Sequence, residues 1–230
     1  MTYVTGHVAL NGVDGKANIT AAKLLTIDGN MTITGLTGAI TLPTLGSVGN
    51  VNITEVAGKA TVTSVDFSGM TSGKVETTTG NLVLAGATSV KLGGELPAVV
   101  TLAKCTEFTH GGAVAQPALD LTLGGANATL SIAATSFTGE VTITTKGNIN
   151  LPAVTKIVKT NLIAGTAASE AHLPNLTEVD GLLDISAKFT TIDLSKLKTL
   201  KNSLNVHGVI SVSLPELVGS AAGTAITTIT

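Results

Sequence analysis

Leu173-Pro174-Asn175-Leu176-Thr177-Glu178-Val179-Asp180-Gly181-Leu182-Leu183-Asp184-Ile185 carries the pattern that organises the whole chain. Two leucines three residues apart bracket a proline. A short apolar-polar run follows, a glycine interrupts it, and a second alternating run begins. The same proline context returns at Leu42-Pro43-Thr44-Leu45, Leu96-Pro97-Ala98-Val99, Gln116-Pro117-Ala118-Leu119, Leu151-Pro152-Ala153-Val154 and Leu214-Pro215-Glu216-Leu217, which accounts for all 6 prolines of the 230-residue chain. The leucines at 151, 173, 194 and 214 recur every 20 to 22 residues, a period that belongs to solenoids.

A second signature accompanies the first. Glycine opens short alternating runs at Gly29-Asn30-Met31-Thr32-Ile33, Gly49-Asn50-Val51-Asn52-Ile53, Gly80-Asn81-Leu82-Val83-Leu84 and Gly147-Asn148-Ile149-Asn150-Leu151. Alternation with β-branched residues and Thr is the pattern of a strand with one face in and one face out. The inward positions predict parallel stacking in constant register: Met31 over Val51, then Leu121, Val141, Leu162, Leu183 and Leu204 at steps of 20 or 21 residues. Ile40-Thr41-Leu42, Val65-Asp66-Phe67, Ile192-Asp193-Leu194 and Val212-Ser213-Leu214 read as second strands of their coils. Proline, which cannot donate to a ladder, ends the strand, and the apolar residue three places later turns inward to close the corner. The expectation is an all-β solenoid, a right-handed parallel β-helix or leucine-rich-repeat-like coil, forming a single domain over 1–230. About eleven coils of about 21 residues fit the length. They are clearest over 147–217, with irregular coils or insertions near 54–80 and 124–138.

Composition excludes several function classes. Aromatic residues are 2% of the chain and Trp is absent, so a thick globular core is poorly supplied while a narrow lumen of Leu, Val, Ile and Ala is not. The 13 basic residues are all lysine, and the net charge is −2. Without a basic face or a bidentate guanidinium, nucleic acid is not an expected partner. Cys105, the 1 cysteine, reads as a buried small hydrophobe. His7, His110, His172 and His207 are scattered, so neither metal nor other cofactor is expected. No stretch has the length and apolarity of a membrane span, and the first residues lack the basic and apolar regions of a signal peptide. An extracellular or cell-surface location therefore requires an export signal outside this sequence.

The run Leu173 to Gly181 followed by Leu183-Asp184-Ile185 resembles the receptor L-domain repeat and the related leucine-rich-repeat proteins of bacterial cell surfaces. The resemblance covers about 147–217 well and the remainder only in degenerate form. It implies an exported solenoid used for adhesion or ligand recognition and not for catalysis. The motif marks structural positions and transfers no binding residue.

The candidate contact surface is the set of outward strand positions: Thr32, Thr34, Asn52, Thr54, Thr142, Thr144, Asp184, Ser186, Asn205 and His207. Thr122 and Ser131 are expected on the same face. These side chains are short, polar and nearly uncharged, which suits a glycan or a host or matrix protein. Open β edges give a second reading, end-to-end self-association into a structural surface fibre. An enzymatic reading, a polysaccharide-active β-helix, would draw on Glu178, Asp180, Asp184 and Asp193 with His207 nearby. Paired carboxylates do not recur across coils, and the chain is read as a non-enzyme. The Asn after the turn glycine, at Asn30, Asn50, Asn81 and Asn148, with Asn161 and Asn202 in comparable places, is expected to hold coil to coil through its amide.

Overall fold

The computed structural model describes residues 2–12, 18–55, 62–71, 73–77, 80–112, 115–164, 169–186, 189–208, 211–215, 217, 219–220 and 225–227. Among them the chain is all β, with no helix, and every strand pairing is parallel. The strands stack as a β-solenoid and fall into two compact units, Met1–Gly112 and Ala113–Thr230.

In the first unit, sheet I is the ladder Val8–Asn11, Met31–Thr34, Asn50–Thr54 and Lys74–Glu76. Sheet II is the ladder Ile19–Thr20, Ala39–Thr41, Ser64–Phe67, Ser89–Leu92 and Glu107–His110. In the second unit, sheet I runs Leu119–Leu123, Ser136–Thr145, Lys156–Ala164, Glu178–Ser186 and Ser203–His207. Sheet II runs Thr129–Ile132, Ile149–Asn150, Ser169–His172, Phe189–Asp193 and Ser211–Ser213. Strands of these ladders lie within both stretches expected to be irregular: Ser64–Phe67 and Lys74–Glu76 within 54–80, and Thr129–Ile132 within 124–138. Residues 56–61, 72 and 78–79 lie outside the described set.

The inward residues of each rung sit on those of the next. In the first unit the stacks are Met31, Val51 and Val75 in sheet I and Ile40, Val65, Val90 and Phe108 in sheet II, all essentially inaccessible. The 4 phenylalanines, Phe67, Phe108, Phe137 and Phe189, are fully buried. Burial drives the stacking, since each rung removes two rows of aliphatic surface from water.

Proline corners close at Leu42–Leu45, Leu173–Leu176 and Leu214–Leu217, and the same turn forms at Leu194–Leu197 without proline. Leu45 N–H donates to Leu42 C=O at 3.2 Å, Leu176 to Leu173 at 3.1 Å, and Leu197 to Leu194, where Ser195 replaces proline, at 3.0 Å. Of these four-residue turns, those at Leu42 and Leu173 carry proline at the position its fixed φ favours, and in them and in the Leu194 turn both leucines are buried. Pro97 and Pro117 behave differently. Pro97 precedes strand Val99–Leu102, and Pro117 lies between strands Ala115–Gln116 and Leu119–Leu123.

The expected register needs correction in the second unit. Val141 faces Leu119 and Thr160, while Leu162 faces Ile143 and Ile185. Leu121 and Val141 are therefore not neighbours, and neither are Val141 and Leu162. The register shifts between Phe137 and Glu140 and again between Ile157 and Lys159. These bulges carry Thr160 into an inward slot, where it is fully buried and its hydroxyl has no hydrogen-bond partner. Leu183 over Leu204 and Met31 over Val51 stand as expected.

A threonine ladder, unexpected from the sequence, runs down one corner of each unit. The hydroxyl of Thr88 donates to Thr63 C=O, and that of Thr106 to Thr88 C=O, in the first unit. Thr155 donates to Thr135 C=O and Thr177 to Thr155 C=O in the second. The same carbonyls also accept the backbone N–H of the next threonine, so each is doubly bonded.

Candidate functional site

Pleating decides which side chains face out, and the ladder decides which of them are neighbours. In sheet I of the second unit one outward row reads Asp120, Thr142, Asn161, Asp184 and Asn205. The next outward row reads Thr122, Thr144, Ile163, Ser186 and His207. Six of the ten candidate contact residues, Thr142, Thr144, Asp184, Ser186, Asn205 and His207, therefore share one face. Successive members of each row are about 4.8 Å apart. Asp120 and His207 are exposed, and the other polar members are half-buried.

The remaining four candidates form a smaller array on sheet I of the first unit. Thr32 lies beside Asn52, and Thr34 beside Thr54. Ala9 and Glu76 extend the first of these rows and Asn11 the second. Ser131 does not join either array, because Thr129–Ile132 belongs to sheet II. Asn161 fills the gap that the expected rows had left between Thr142 and Asp184. It is outward because Thr160 is inward.

Hydrogen bonding across the larger array is sparse. Asn161 Nδ2 donates to Thr142 Oγ1 at 3.2 Å, which leaves the Thr142 proton free to donate outward. Asp120, Asp184, Asn205 and His207 make no side-chain hydrogen bond or ion pair to another described residue.

The carboxylates considered for catalysis do not converge. Glu178 and Asp180 are engaged at one corner, where Lys156 and Lys201 each contact both of them; the Lys156–Glu178 and Lys201–Asp180 distances are 3.5 and 2.6 Å. The Lys156 ammonium first, then Lys201, holds the Asp180 carboxyl far below the usual carboxylate range, while Asp180 raises Lys201 in turn. Asp193 lies on sheet II, beside His172 on the neighbouring rung, and its Oδ1 accepts the Ser195 N–H at 3.0 Å. Asp184 alone of the four is on the outward array.

The histidines also have separate roles. His7 Nδ1 accepts the Asn30 N–H at 2.9 Å, and His172 Nε2 is 3.0 Å from Glu170 Oε2. His110 is buried, its Nε2 3.0 Å from the Gly94 carbonyl and its Nδ1 without a partner, and burial pushes its pKa down. Burial likewise pushes the Cys105 thiol up to about 11, which makes it a poor nucleophile. Among the described residues no group of three His, Cys, Asp or Glu side chains is placed to hold a metal ion. None of the described segments is a helix long and apolar enough to cross a membrane.

Amides of the turn asparagines tie coil to coil at four of the six expected positions. Asn30 Oδ1 accepts from Asn50 N–H, Asn50 Oδ1 from Lys74 N–H, and Asn148 Oδ1 from Glu170 N–H, at 2.9 to 3.2 Å. Asn18 does the same for Ala39. Asn161 Nδ2 reaches Thr142 Oγ1 on the neighbouring coil, Asn202 bonds locally with Ser203, and the Asn81 side chain has no bond to another described residue.

No protein-family model, no curated protein and no solved structure matches the chain.

Proposed function

We propose that the protein is a non-enzymatic recognition module of an extracellular or cell surface, and that it holds a glycan against the outward face of sheet I in the second unit. The observation that carries this is the two-row array Asp120-Thr142-Asn161-Asp184-Asn205 and Thr122-Thr144-Ile163-Ser186-His207. Hydroxyl, amide and carboxylate groups stand at a fixed spacing on a ladder whose backbone is already ordered, so binding costs little conformational entropy. Protein interfaces concentrate affinity in aromatic and arginine anchors, and the array has neither. Short polar groups on a flat face suit a hydroxyl-rich chain better. The same proposal includes a right-handed coil, about eleven coils in the whole chain, and kinship with L-domain-like leucine-rich-repeat surface proteins.

A glycan array probed with the 230-residue chain tests this reading. Selective binding that disappears in Thr144→Arg and Ser186→Arg, which lay long side chains across the face, supports it. Equal binding by those variants, or no glycan bound at all, overturns it.

One observation favours self-association instead. Strands Val8–Asn11 and Ile19–Thr20 pair on one side only among the described residues, and an apolar cavity of about 280 Å³ lies behind them, lined by Val4, Val8, Leu10, Ile19, Leu24 and Met31. Species that grow with protein concentration in light scattering would favour the fibre; a concentration-independent monomer removes it.

A further inference from the structure

The charges around the larger array are unevenly satisfied, and the imbalance specifies the ligand. Three lysines border the face, and each is paired with carboxylate. Lys159 Nζ is 2.7 Å from Glu140 Oε1, while Lys156 and Lys201 share Glu178 and Asp180. Within the rows themselves the carboxylates are Asp120 and Asp184, and neither has a lysine, a hydroxyl or an amide donor among the described residues. They lie in one row, three rungs apart, which at about 4.8 Å per rung is about 14 Å. Lys146, exposed and without a carboxylate partner among the described residues, stands beyond the end of strand Ser136–Thr145 and outside both rows.

Resting on the glycan reading above, we infer that this face takes an amino-bearing glycan, a chain of hydroxyl-rich sugars with free amino groups, and rejects sulfated or uronic-acid chains. Two unpaired carboxylates supply acceptors without donors, and an ammonium group satisfies them with charge-assisted hydrogen bonds. Between them the free Thr142 proton and the Asn161 carbonyl oxygen offer one donor and one acceptor to sugar hydroxyls. A sulfate or carboxylate on the ligand would meet Asp120 or Asp184 with no nearby cation left among the described residues to neutralise it.

The test uses the whole chain and three fluorescent oligosaccharide probes of equal length: glucosamine, N-acetylglucosamine and a sulfated uronic-acid oligomer, with oligolysine as a fourth. The glucosamine oligomer is expected to bind about tenfold more tightly than the N-acetylated one at low salt, with the advantage shrinking at 0.5 M salt. Asp184→Asn and Asp120→Asn, both outward and without internal partners, are expected to reduce that preference several-fold with unchanged circular dichroism. A sulfated oligomer that binds as well as the N-acetylated one overturns the inference while leaving glycan recognition intact. So does an undiminished amino preference in both variants. Oligolysine bound as tightly as the amino sugar overturns the glycan class. Failure of every oligosaccharide, including neutral ones, removes the recognition reading itself.

Discussion

The two units turn the same corner by different means. In the first unit the residues just before Met31, Val51 and Val75 are Asn30, Asn50 and Lys74, and the corner is held by side-chain amides, each accepting the N–H of the next coil. In the second unit the positions just before Val141, Thr160, Leu183 and Leu204 are Glu140, Lys159, Leu182 and Ser203. There the strand does not stop. Ser136–Thr145, Lys156–Ala164 and Glu178–Ser186 run through the corner by way of bulges, so the backbone ladder itself joins the coils. Glycine usage follows this division. Gly6, Gly35, Gly73, Gly80 and Gly94, with φ between 65 and 87°, break the chain in the first unit, against Gly208 in the second. The period constrains where a corner must fall and leaves open how its polar groups are satisfied.

The deepest common feature is the packed lumen, so the largest effect should be alike in both units. Phe67→Ala in the first and Phe137→Ala in the second each remove a fully buried ring and should cost about 3–5 kcal/mol in urea unfolding. A cost below about 1 kcal/mol in either would mean that its lumen collapses onto the gap, and the likeness of the two cores would fail.

Acid should separate them. His110 in the first unit is buried neutral with its pKa below the ordinary 6.5. The unfolded chain therefore binds a proton that the folded unit refuses, so stability is present above about pH 6.5 and falls as pH drops below it. In the second unit Asp180 is held ionised below the ordinary 3.8 by Lys156 and Lys201, so its contribution persists above about pH 4 and is lost only at lower pH. Backbone amide protection at pH 7.5, 5.5 and 3.5 checks this. Protection in Glu107–His110 should weaken by pH 5.5 while that in Glu178–Ser186 holds. Simultaneous loss would abolish the distinction.

The corner comparison yields a smaller effect. Asn50→Ala removes the acceptor of Lys74 N–H and the 2.9 Å bond to Glu76 Oε1, and should cost about 1 kcal/mol. Lys159→Ala at the equivalent place removes only an exposed ion pair, and should cost nearer zero. Equal costs would show that the side-chain ladder is no more important than the charges that replace it.

Much of this was legible in the sequence, because inward aliphatics and corner prolines obey simple steric rules. Leu42, Leu45, Leu173 and Leu176 point inward as their spacing requires, and the outward rows through Thr32, Thr142, Asp184 and Asn205 are those expected. The register around Leu162 was not legible. A 21-residue step between leucines assumes that every inward slot is apolar, and Thr160 occupies one. Buried His110, Gln116 and Thr160 share that opacity, since a polar residue in an inward slot looks like an outward one until its neighbours are in place. The threonine ladder left a faint signal, Thr155 and Thr177 each following an inward residue of the proline corner. The pairing of Lys156 and Lys201 with Glu178 and Asp180 left none, because the partners are 21 to 24 residues apart.

The smallest expected effect concerns that charged corner. Lys156, Lys201 and Glu178 are 42, 50 and 29% exposed, so water and salt screen most of their attraction. Replacing Lys201 by Ala should lower the urea midpoint only slightly at pH 7, because Lys156 still faces both carboxylates. The cost should shrink further in 0.5 M salt and fade as pH drops below the ordinary Asp value of 3.8 towards the depressed one at which Asp180 takes its proton. A loss that persists in salt would instead point to packing of the lysine stem against Glu178 and Val179. The corner would then resemble the first unit's, held by local contacts, and the contrast between a charged and an amide corner would be one of residue type alone.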